Sequence, residues 1–132
     1  MSLRASGPFD VQLSPLQLAD TIAPTLGRMA IDKQYHGDLE AIGKGEMFTA
    51  GTSVQGSAGY VAIERVSGKL KGRAGTFVLQ HSGVMNRGAP QLTITVVPDS
   101  GTGELAGLSG TMMIAIAGGR HSYELEYTLG VH

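Results

Sequence analysis

The sequence predicts an all-β fold: a single small antiparallel up-and-down barrel of about eight strands. A two-sheet sandwich is the alternative. Three observations lead there. Apolar and polar residues alternate with period two in one segment after another, as in strands with one face in a core. The chain has 20 glycines in 132 residues, scattered between these segments, which marks turns and bulges rather than disorder. Almost nothing reads as helix. An open meander of this size would leave two adhesive edges, and closure removes them. About eight strands enclose a lumen that side chains fill or that holds one small ligand.

The elements follow in order. Residues 1–8 read as a disordered or expression-derived lead, and 9–132 as the barrel domain. Phe9 to Leu13 alternates enough for a first strand. Ser14-Pro15 resembles an N-cap and first helical residue, so either one helical turn or only a loop is expected before Pro24. Leu26 to Glu40 reads as one long strand, with Met29, Ile31, Lys33 and Tyr35 on one face and a bulge or bend at Gly37-Asp38. Ile42 to Gly45 reads as a turn, and Glu46 to Val54 as the next strand. A central hairpin occupies residues 60 to 83. Its turn is expected at Gly68-Lys69, glycine first, to suit the strand twist. That register sets Tyr60 opposite Phe77, Ala62 opposite Gly75 and Glu64 opposite Arg73. A turn longer by two residues would change the partners and keep the faces. Val84 to Pro90 reads as a polar excursion. Strands over Gln91–Val97, Glu104–Ala117 and Arg120–Leu129 complete the chain.

Several of these segments carry a resemblance. IDKQYHGDLE, YVAIE, GRAGTFVLQHSG, VVPDSGTGELAGLSG and HSYELEY together resemble a bacterial family of domains of unknown function, over about Arg28 to Leu129. That family's fold is grouped with the allene oxide cyclase-like barrels, a class that includes the dirigent proteins. The resemblance implies an eight-stranded barrel with an internal cavity, often oligomeric. It transfers no reaction and no catalytic residue.

Composition excludes several functions. The absence of cysteine removes disulfides and thiolate sites. A net charge of −1 offers no footprint for nucleic acid or an anionic membrane. No apolar run is long enough for a membrane helix and no secretory leader is evident, so a cytoplasmic protein is expected. Gly101-Thr102-Gly103 with Ala106 matches a dinucleotide loop in letters only, since no βαβ unit surrounds it. Neither a P-loop nor a Gly-x-Ser-x-Gly elbow occurs. His36, His81, His121 and His132 have no local metal spacing, so neither a metal nor a cofactor is expected.

The chemistry that remains is a set of polar residues sharing faces with apolar ones. The candidate ligand-binding set is Lys33, Tyr60, Glu64, Arg73, Phe77, His81, His121 and Tyr123. Glu64 and His81 are the candidates for proton transfer, since a buried carboxylate or imidazole beside an apolar cavity can move a proton without a cofactor. Each also has a structural reading. Glu64 and Arg73 would pin the hairpin register, Lys33 would send its ammonium to the barrel mouth, and the aromatics would be core with a satisfied polar tip. Three functions fit: a small-molecule binding barrel, a cofactor-free isomerase or cyclase, and an assembly protein with a packed lumen. Apolar side chains pointing outward, among them Val61, Ile63 and Val78, predict a homo-oligomer, dimer or trimer.

Overall fold

A computed structural model describes residues 2–17 and 25–130. Eight strands form a closed antiparallel barrel in sequence order, β1 to β8. They are β1 (Leu3–Leu16), β2 (Leu26–Tyr35), β3 (Leu39–Gly51), β4 (Ala58–Leu70), β5 (Arg73–Asn86), β6 (Ala89–Val96), β7 (Leu108–Ala117) and β8 (Arg120–Leu129). A short 3₁₀ turn, Gly103–Leu105, is the only helical element among the described residues.

Closure is made by β1. Its first half pairs with β8 and its second half with β2, and Phe9 is the hinge, opposite both His121 and Tyr35. The expected disordered lead is therefore a strand: Leu3 to Pro8 form ladder pairs with β8, and Ala5 is fully buried. The expected start of a helical turn or loop is strand too, since Ser14 and Pro15 lie opposite Ala30 and Met29. The rest of that segment, toward Pro24, falls outside the described residues.

The expected long strand Leu26–Glu40 is two strands. His36 to Asp38 make the β2–β3 turn, with Gly37 at φ 90°. Ile42 to Gly45, expected as a turn, run through the middle of β3. The central hairpin turns at Lys71-Gly72, three residues later than expected. Both residues have positive φ, as a two-residue primed turn requires. The same geometry recurs at Arg87-Gly88, so β5 and β6 form a tight hairpin where a polar excursion was expected.

The later turn changes partners and keeps faces. Glu64 lies opposite Leu79, Ala62 opposite His81, Tyr60 opposite Gly83 and Val66 opposite Phe77. The expected pairs Tyr60–Phe77, Ala62–Gly75 and Glu64–Arg73 do not form. Inward positions still alternate as predicted: Ala62, Glu64 and Val66 of β4, and Phe77, Leu79 and His81 of β5, are all buried.

The lumen has two unlike ends. At the end carrying the β4–β5 turn, Leu39, Val66, Leu70, Phe77, Leu79 and Leu108 close the interior. Leu105, from the connection between β6 and β7, is fully buried against them. Gly75 permits this, because a Cβ there would overlap the Thr102 carbonyl. Among the described residues no comparable apolar plug closes the opposite end.

Candidate functional site

Four polar side chains meet inside the barrel, from β2, β4 and β5. Glu64 is 0 % exposed, and Lys33 and His81 are nearly as buried. The Lys33 ammonium donates to Glu64 Oε1 at 3.0 Å. The Tyr35 hydroxyl donates to Oε2 at 2.5 Å. His81 Nε2 lies 2.9 Å from Oε1. An ionised carboxylate only accepts, so Nε2 carries the proton in that contact.

Burial by itself would raise the Glu64 carboxyl. The His81 hydrogen bond, the Lys33 charge and the Tyr35 and Lys33 hydrogen bonds outweigh it and hold Glu64 below its usual value. Tyr35 moves the other way. Burial, then the Glu64 charge and hydrogen bond, push its phenol far above the usual value, so it stays a donor.

The backbone makes room for this cluster. A Cβ on Gly43 would sit on Glu64 Oε2 and press on the Tyr35 ring. Gly43 lies opposite Lys33 on β2, and Gly45 lies opposite Glu64 on β4. Gly43, which reads as part of a turn, is therefore the space in which the carboxylate lies, while Gly45 lets the β4 backbone come close.

Above the cluster, toward the open end, is an apolar cup of about 200 Å³. Lys33 and His81 form its polar floor, and Phe9, Ile31, Met47 and Leu92 are among its walls. The Lys33 ammonium also lies 5.1 Å from the centre of the Phe9 ring. Tyr60 and His121 line the cup. The Tyr60 ring covers Gly83, where a Cβ would strike it. Burial, and secondarily the Glu64 charge, raise the Tyr60 phenol. The His121 ring lies 5.3 Å from that of Phe9.

Of the eight predicted residues, five come together here: Lys33, Tyr60, Glu64, His81 and His121. Three do not. Arg73 is exposed beside the β4–β5 turn, at the far end, because the true register gives Glu64 a different partner. Phe77 is core in the closed half. Tyr123 faces in, but its hydroxyl donates to the His36 carbonyl at 2.7 Å and accepts from the Leu39 N–H at 2.8 Å, which ties β8 to the β2–β3 turn. The sequence reading missed Tyr35, Gly43 and the cup residue Phe9 as site members. Tyr35 was signalled by its place two residues after Lys33, on the same face. Among the described residues no group of three or more His, Asp or Glu is placed to hold a metal ion.

The family described as "Protein of unknown function (DUF3224)" matches residues 5–127. The chain belongs to the DUF3224 family. A crystal structure of a DUF3224 protein of unknown function from Shewanella oneidensis MR-1 is 51% identical to it, covering 100% of both chains with a TM-score of 0.95. No curated protein matches the chain. Kinship with a family of unknown function is thus shown, and the Shewanella oneidensis structure carries no activity to transfer. Among the described residues no helix is long and apolar enough to cross a membrane.

Proposed function

We propose that this DUF3224 protein is a small-molecule binding barrel that takes a compact amphipathic ligand in the open half of its lumen. One observation carries the reading: an apolar cup of about 200 Å³ stands directly on a buried, hydrogen-bonded charge cluster. Apolar walls with a few convergent polar groups are the usual make-up of a ligand site. A cavity larger than a water counts against a fully packed lumen. The closed barrel with a site inside also agrees with the allene oxide cyclase-like grouping, which we retain as part of this proposal.

The test fills the cup. Ala62 lines it and is 4% exposed. A set of compact amphipathic compounds should shift the methyl resonances of Met47 and Leu92 in the wild type. Ala62→Phe should abolish those shifts. Shifts that persist unchanged in Ala62→Phe, or no shift with any compound, refute the reading.

The second reading is a cofactor-independent isomerase or cyclase, and the Glu64–His81 pair favours it. Glu64 is a poor base, being saturated with donors and held below its usual value. With Nε2 donating to Glu64, a neutral His81 keeps its lone pair on Nδ1, outside that contact. Turnover of a carbonyl substrate that is lost in His81→Gln while binding persists would favour this reading over simple binding.

Two further expectations belong to the proposal. The first is a dimer or trimer formed through the outer wall, where Phe48 and Val61 are cross-strand neighbours beside Ile63, each about half exposed. A monomer mass by light scattering at micromolar concentration would refute it. The second is a cytoplasmic location. Ion pairs on the outer wall, Arg4 with Glu124 and Arg28 with Glu46, support an exterior that faces water.

A further inference from the structure

We propose that the occupant of the cup is an organic anion: a carboxylate on an apolar body, its head on the Lys33 ammonium. The inference rests on the lumen-binding reading and adds the charge of the ligand.

Four observations converge on it. First, among the described residues no Asp or Glu lines the cup. Its ionisable groups are Lys33, His81, His121 and the Tyr60 phenol. Second, the one buried carboxylate beneath is already used. Glu64 receives Lys33, Tyr35 and His81, and its Oε2 is tucked into the space left by Gly43, on the backbone of β3. It is turned away from anything entering the cup. Third, Lys33 is not fully used. An ammonium has three protons. One goes to Glu64 at 3.0 Å, and Tyr35 Oη is a long 3.4 Å away. No acceptor among the described residues takes the third, although the side chain is only 6% exposed. A ligand that displaces water from the cup must give this donor an acceptor, and an anionic head supplies one. Fourth, the charges are not needed to close the barrel, because the other half of the lumen is closed by apolar side chains alone.

The alternatives are weaker on the same observations. A cationic ligand would approach an ammonium, with the neutralising carboxylate behind it. A neutral apolar ligand would seal the unused Lys33 proton away from water. The apolar body has an evident direction. β6 and β7 are paired only through Ile94–Met112 and Thr95–Thr111. Beyond Ile94 the wall between them is made by Leu92, Ile114 and Ile116, all of which line the cup.

The experiment compares octanoate, octan-1-ol and octylamine, titrated calorimetrically into the wild-type protein. Octanoate is expected to bind at least about tenfold more tightly than octan-1-ol, as for a charge-assisted hydrogen bond in a desolvated site. Octylamine should bind most weakly. In the double variant Lys33→Met/Glu64→Gln, which removes both charges at similar volume, octan-1-ol should still bind and the preference for octanoate should vanish. Equal binding of octanoate and octan-1-ol, or a preference that survives in the double variant, overturns the anion proposal and leaves the binding reading standing. Binding of none of the three to the wild type overturns both. Should the double variant fail to fold, the wild-type ratio decides the matter.

Discussion

The two halves of the lumen obey one alternation and reach opposite results. In the closed half the inward positions are large and apolar, and Leu105 enters from the β6–β7 connection to cover them. In the open half several inward positions are small: Gly43, Gly45, Ala62 and Gly83. The volume they release is taken by Glu64 with its partners and by the cup. Stability and site are thereby separated along the barrel axis. The apolar end sustains an arrangement that apolar packing would stabilise as well or better, since buried ion pairs gain little net free energy.

The separation is broken most severely at Lys33. Lys33→Met leaves Glu64 buried without its cation, and removing one partner of a buried pair costs about 3–5 kcal/mol. Lys33→Met/Glu64→Gln should recover most of that loss in urea unfolding. A single-variant loss below about 1 kcal/mol would mean that water reaches Glu64 and that the open half is not a desolvated site. The two ends can next be compared by apolar truncation. Leu105→Ala empties a fully buried position in the closed half and should cost about 2–5 kcal/mol. Ile116 is 66% exposed at the open rim, so Ile116→Ala should stay within about 0.5 kcal/mol of wild type. Similar losses at both would mean that the rim is covered by something, such as a second copy of the chain.

The inward face of each strand was legible in the sequence, because period-two alternation needs no knowledge of partners. It placed Lys33, Glu64 and His81 inside. Register was not legible, and the reason is specific to glycine. Gly68 and Gly72 both look like turn residues. Gly72 is one, beside Lys71 at positive φ, whereas Gly68 lies within β4 because a Cβ there would overlap Ala41 of β3. Gly37 and Gly43 divide in the same way between a turn and a space. Letters alone do not distinguish a glycine needed for its dihedral from one needed for its missing side chain. The convergence of Lys33 and Glu64 depends on that distinction, since β3 lies between β2 and β4 and the missing side chain of Gly43 leaves room for the Glu64 carboxylate across it. Lys33, Glu64 and His81 could thus be named, while their cluster and the misplaced Arg73 awaited the register. β1 was underread for a related reason: its inward Ala5 and Gly7 are too small to stand out as an apolar face.

The smallest expected effect sharpens the contrast by pH. Burial raises the Glu64 carboxyl, but the His81 hydrogen bond, the Lys33 charge and the remaining hydrogen bonds outweigh it, so the folded value lies below the ordinary one of 4.5. A depressed carboxylate contributes stability that is complete above the unfolded value and is lost as pH falls through the folded value. The wild type should therefore lose stability relative to Lys33→Met/Glu64→Gln as pH drops below about 4.5. Thermal melts of the two proteins at matched ionic strength, from neutral pH to about pH 3, would show the difference. The exposed carboxylates, such as Glu124 and Glu46, are common to both proteins and cancel in it. Parallel acid limbs would mean that Glu64 is equally at ease protonated. Its donors would then have no ionised carboxylate to hold, and the cup would have no fixed charge beneath it.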